Sequence, residues 1–131
     1  MTVIKIVPFP GPSGNSDGYI NQVIITSLGS TVGQLTHAGK QLYLKSGGQS
    51  TFMVPTHAAV AFPIGTQITF VTDATSRWLF NRVSPGTTTV VGEGGGYNGS
   101  NVNFLVPSNS RATLLKIESN RWILSGIRVN V

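Results

Sequence analysis

The chain has 131 residues, 40% of them hydrophobic and only 10% charged, with 16 glycines and no cysteine; the length suits one domain with a real core, and disulfide bracing and thiolate metal sites are excluded. Its formal charge of +5 sets nine Lys and Arg against four acids, Asp17, Asp73, Glu93 and Glu118. The cations are spread from Lys5 to Arg128 with no two adjacent, which argues against a nucleic-acid-binding block.

β-Branched residues and glycine dominate, and a composition of this kind points to sheet. Residues 3–7 read as a short strand, after which Pro8-Phe9-Pro10-Gly11-Pro12-Ser13-Gly14 interrupts regular structure because proline fixes φ and donates no hydrogen bond. This stretch is either an ordinary loop or an arm that carries the first strand to a neighbouring subunit. Residues 19–27 predict a strand in which Val23, Ile24 and Ile25 are covered on both faces, and 29–33 predict a loop. Alternation places Leu42 and Leu44 on one face of a strand at 41–45, and Phe52 and Val54 on one face of a strand at 50–54. Ser46-Gly47-Gly48-Gln49 between them predicts a hairpin. Residues 56–62 carry modest helical potential, enough for one turn of helix or a loop.

Further strands are predicted at 66–72, 77–83, 87–91, 102–106, 112–118, 121–125 and 127–131. Ser119-Asn120 reads as a two-residue hairpin connection. The expected fold is an all-β single domain, a sandwich or barrel of jelly-roll type with about eight to ten short strands. Residues 1–34 are expected to hold an N-terminal strand, Pro/Gly-rich arm and first body strand, and 35–131 a β-sandwich module, the whole being one compact domain.

Motifs for chemistry are sparse. His37 and His57 are the only imidazoles, and the four acids stand at no spacing that would complete a catalytic triad or a zinc site. Gly94, Gly96 and Gly99 match a dinucleotide fingerprint in spacing, but a strand rather than a helix follows them. No catalytic residue, metal ligand or cofactor is therefore expected. No basic-plus-apolar leader opens the sequence and no apolar run has bilayer-spanning length, so a soluble protein made in a cytoplasm, without membrane contact, is expected. Trp78, Phe80 and Arg82 share one face of a strand, either as an aromatic–Arg contact set or as inner-face residues with Arg82 at the edge. Trp122 reads as core with its indole N–H satisfied. Tyr97, inside a glycine-rich loop, is a candidate contact anchor.

From Leu35 onwards the sequence resembles a β-sandwich module of bacteriophage virion proteins found in decoration, head-fibre and tail-fibre contexts. The resemblance is carried by Thr36-His37-Ala38-Gly39-Lys40, Thr51-Phe52-Met53-Val54-Pro55 and Ala61-Phe62-Pro63-Ile64-Gly65-Thr66-Gln67-Ile68-Thr69-Phe70. Ala112-Thr113-Leu114-Leu115-Lys116-Ile117 and Asn120-Arg121-Trp122-Ile123-Leu124-Ser125-Gly126 complete it. It implies a structural or adhesive role and transfers no catalytic residue. The resulting expectation is a non-enzymatic capsid decoration protein at the virion surface, binding the major capsid or another virion protein and self-associating as a dimer or trimer. Val3, Lys5, Phe9, Tyr97, Trp78 and Arg82 are the candidate partner contacts. The alternative is a receptor- or carbohydrate-binding module of a phage fibre or tail, meeting a host glycan through Trp78, Tyr97 or Tyr43.

Overall fold

The computed structural model describes residues 18–93, 103–126 and 128–130. Within them the chain forms eleven strands: β1 (Gln22–Ile25), β2 (Gly29–Val32), β3 (Gln41–Leu44), β4 (Gln49–Val54), β5 (Gln67–Thr72), β6 (Arg77–Arg82), β7 (Thr89–Gly92), β8 (Asn103–Val106), β9 (Arg111–Glu118), β10 (Arg121–Ser125) and β11 (Arg128–Asn130). They build two packed sheets, one of six strands in the order β1-β3-β5-β9-β10-β7 and one of five in the order β11-β8-β6-β4-β2. The all-β sandwich expected from the sequence is thus present.

Successive strands from β1 to β9 alternate between the two sheets. Because every second strand re-enters its sheet in the same direction, β1, β3 and β5 pair in parallel, as do β2, β4 and β6. The first half of the chain is therefore a flattened coil. Antiparallel ladders join β9 to β5 and β10, and β8 to β6 and β11, while β7 closes the larger sheet parallel to β10. The antiparallel Greek keys of a jelly roll are not what these ladders form.

The hairpin expected at Ser46-Gly47-Gly48-Gln49 needs correcting on the same ground. Gly47 does turn the chain, with φ +71°, but β3 and β4 lie in different sheets. The turn crosses the sandwich instead of closing a ladder. Leu42 and Leu44 on one side and Phe52 and Val54 on the other are all buried, so alternation identified the inward face correctly and was silent about the hydrogen-bonded neighbour. The predicted loop at 29–33 is mostly strand β2, and β1 is an edge strand whose Ile24 is 54% exposed, not a strand covered on both faces. Residues 56–62 form turns, and the one helical turn among the described residues is a 3-10 turn at Leu35–His37. The Ser119-Asn120 hairpin is present, with Arg121 opposite Glu118.

The core fills from both sheets: Leu42, Leu44, Ile68, Phe70, Leu114, Trp122 and Leu124 from the larger, Phe52, Val54, Trp78, Phe80, Phe104 and Val106 from the smaller. At its centre Phe70 meets Phe52, Phe80 and Trp78 edge-on, with ring centroids 4.8, 4.7 and 5.6 Å apart. Each such contact adds about 0.5–1.5 kcal/mol to the burial itself. The alternation of strands also sorts the connections. Residues 33–40, 55–66, 83–88 and 119–120 gather at one end of the sandwich, here called the near end, while 26–28, 45–48, 73–76 and 107–110 gather at the far end.

Candidate functional site

Two features stand out from the body: a buried cation cluster at the near end and an apolar flank along β1 and β2. The cluster starts from strand phase. Ala112, Leu114 and Lys116 occupy alternate positions of β9 and all three face inward; Lys116 is only 1% exposed. A register shift between Arg121 and Trp122 sets Trp122 opposite Lys116. The Lys116 ammonium lies 5.7 Å from the indole centroid. It donates to the Phe62 carbonyl at 2.7 Å and meets His57 Nδ1 at 2.8 Å. An ammonium has no lone pair, so His57 Nδ1 accepts here and the ring hydrogen sits on Nε2.

Main-chain bonds reinforce the arrangement. Gly65 N–H donates to the Lys116 carbonyl, Lys116 N–H donates to the Thr66 carbonyl, and His57 N–H donates to Asn120 Oδ1. The Phe62 ring packs edge-on against Trp122 at 5.4 Å. The 55–66 crossover is thereby pinned to the β9–β10 hairpin at both of its ends. Burial alone pushes the Lys116 ammonium below the ordinary lysine range, since a charge taken out of water favours its neutral form.

Arg82 is also buried, at 8% exposure, and its Nη1 donates to the Thr88 carbonyl at 3.4 Å. Beside it, Thr88 Oγ1 has no hydrogen-bond partner among the described residues. An open depression of about 490 Å³ lies near Lys116, lined by Ile64, Thr89, Glu118, Ser119, Asn120 and Arg121. Glu118 is the one carboxylate in that lining, and paired-carboxylate chemistry needs two. Among the described residues no group of three or more His, Cys, Asp or Glu is placed to hold a metal ion.

The flank is formed by the outer strand of each sheet, β1 on the larger and β2 on the smaller. Tyr19, Ile20, Ile24, Leu28, Val32 and Leu35 are 46–61% exposed, and only Ile64 and Val83 among the other large apolar side chains are comparably open in the described residues. Val23 and Ile25 point inward and pack on the core yet remain half-buried, so among the described residues the sandwich interior is open on this side. From Gly18 to Gly39 the sequence has no Asp, Glu, Lys, Arg or Pro.

Of the residues expected to contact a partner, Val3, Lys5, Phe9 and Tyr97 lie outside the described residues. Trp78 is 0% exposed and its Nε1 donates to the Leu42 carbonyl at 3.4 Å. With Phe80 and Arg82 also buried, the set belongs to the interior, and the surface reading of Trp78 and Arg82 is corrected accordingly. Trp122 is core as expected, 1% exposed, although the indole N–H bond the structure shows is that of Trp78. Tyr43 is half-buried beneath the Lys45 ammonium, 5.9 Å away.

No protein-family model, no curated protein and no solved structure matches this chain. Sequence reading missed Lys116 because its charge suggested surface, whereas its phase with Ala112 and Leu114 marked it as inward. The flank holds none of the residue types that carry chemistry. The signal there was an uncharged run over two strands.

Proposed function

We propose that this protein is a non-enzymatic virion structural protein of a bacteriophage, a decoration protein that works by completing an assembly with other protein chains. The observation that supports it is the β1–β2 flank. Free sheet edges are ordinarily blunted with lysine, proline or inward charges, and this one has none of them between Gly18 and Gly39. A core edge open among the described residues, with six exposed apolar side chains on and beside its two strands, is a surface suited to another chain, since exposed apolar patches mark interaction sites. The phage setting rests on the sequence resemblance alone, in which the motifs between Leu35 and Gly126 resemble those of virion modules in their order. The net charge of +5 suits an acidic outer shell, and Val3, Lys5 and Phe9 are the proposed contacts with it.

The test is co-sedimentation of purified protein with phage heads that lack it. Saturable binding at a fixed ratio to the shell protein is expected. Absence of binding at every ionic strength would remove the decoration reading. Binding to tails or host cells instead would move the protein to the fibre-type alternative, with a host glycan as ligand.

A further inference from the structure

We infer that the β1–β2 flank is a homotypic interface and that its occupant is a second copy of this chain. The inference deepens the assembly role proposed above. Three observations select a second copy over another partner. First, the chain carries +5, yet all nine Lys and Arg lie outside 18–39. Two like-charged copies meet at least cost where the touching strands bear no charge; β1 and β2 bear none, with Lys40 and Lys45 bordering β1 at the two ends of β3. An acidic partner would be drawn to the lysines and arginines elsewhere.

Second, the flank holds two edge strands, one from each sheet, joined by the short turn at 26–28 and so running in opposite directions. A two-fold axis at the flank brings β1 of one copy beside β1 of the other, and β2 beside β2, antiparallel in both sheets at once. Both sheets then continue across the junction, and both rows of backbone groups left unpaired among the described residues are satisfied. A single added peptide strand would fill only one row. Third, the size fits. Six apolar side chains about half exposed leave on the order of 500 Å² of apolar surface. With the intervening backbone this approaches the ~800 Å² that each partner contributes to a stable interface.

The test is sedimentation equilibrium of the full chain from low to high micromolar concentration, with two variants. Wild type is expected at twice the 13.9 kDa chain mass. Ile24→Lys/Val32→Lys places two charges on exposed flank positions and is expected to sediment as a monomer with an unchanged circular dichroism spectrum. Ile64→Lys changes an equally exposed apolar residue at the near end and is expected to stay dimeric. A monomeric wild type at all concentrations overturns the inference, including the case in which β1 amides resist hydrogen exchange because the protein's own N-terminal segment covers them. So does a dimer that survives Ile24→Lys/Val32→Lys, or one lost with Ile64→Lys. Head binding by a monomeric wild type would defeat the homotypic interface and leave the decoration reading standing. A flank-dependent dimer that ignores heads would do the reverse.

Discussion

Replacing Lys116 with Met tests whether a buried ammonium tethers the 55–66 crossover. Methionine keeps the length and apolar stem but removes the donor. The Phe62 carbonyl, which accepts from Lys116 Nζ at 2.7 Å, loses that bond, and an unmet buried acceptor costs about 1–3 kcal/mol. The contact with the Trp122 face is lost as well, worth about 1 kcal/mol. Against this, the variant no longer takes an ammonium out of water, and that relief offsets about half of the loss. Because His57 is half-buried and can turn to water, its acceptor is not counted. The balance is a destabilisation of about 1–2 kcal/mol near neutral pH, or a fall in Tm of about 4–8 °C for a chain of this length.

The pH dependence gives the sharper reading. Burial lowers the Lys116 pKa in the folded state, so between that value and the ordinary ~10.4 the unfolded chain binds more protons than the folded one. Stability then rises with pH across the window. The penalty for the buried charge is present in full below the folded pKa and is gone above the ordinary value. Urea titrations of wild type and Lys116→Met between neutral pH and about pH 10.5 should therefore show a gap that widens with pH. A gap that narrows would mean that folding stabilises the charged form. A variant more stable than wild type at neutral pH would mean that the ammonium is a liability and no tether.

Gly126 has φ +78°, and a Cβ there would stand 2.5 Å from the Arg111 carbonyl oxygen, so Gly126→Ala is expected to cost about 2–4 kcal/mol in chemical denaturation; a loss under 1 kcal/mol would show that the chain relaxes freely around β10. Phe70→Ala, at the centre of the aromatic cluster, is expected to cost about 3–5 kcal/mol, and retention of wild-type Tm would contradict the packing described. His37 accepts from the Gln34 N–H at 3.0 Å, and burial, with Lys40 nearby, holds its imidazole below the ordinary histidine range. Its contribution is therefore complete above about pH 6.5 and is lost as pH falls towards the folded pKa. His37→Gln should flatten the stability profile in that window, and an unchanged acid slope would assign the loss elsewhere. Asp73, whose carboxylate is held below the ordinary range by hydrogen bonds from Ser76 and Thr75, contributes above the ordinary aspartate value and loses that contribution in acid; Asp73→Asn should remove this part of the acid sensitivity, and an acid limb identical to wild type would refute it.

Much of the fold was legible because a strand's side-chain period of two survives any tertiary context. Leu42/Leu44, Phe52/Val54 and Trp78/Phe80 were each placed on a common face by spacing, and each is buried. Pairing was less legible. Periodicity reports which way a side chain points, while the neighbour in a sheet depends on where a turn sends the chain. Gly47 permits a crossover as readily as a hairpin, and only the need to cover Leu42 and Phe52 against each other decides between them. The Ser119-Asn120 connection was readable because two residues leave no length to cross a sandwich. Among the site residues, Lys116 required phase to outweigh charge. The flank required reading what residues 18–39 lack.

The alternation of strands between sheets has a consequence for how the molecule is made. Among the described strands, β9 and β10 are the only sequence neighbours that share a ladder. Every other pairing joins segments separated by at least one intervening strand in the opposite sheet. Loop-closure entropy must be met before such contacts return anything, so folding is expected in the slow range typical of sheets rich in non-local pairs. The hairpin around Ser119-Asn120 is the cheapest nucleus, and it also presents Asn120 and Trp122 to the crossover that Lys116 secures. The coil that begins at β1 is then the last part to be consolidated, and its outermost strands depend most on what is laid against them.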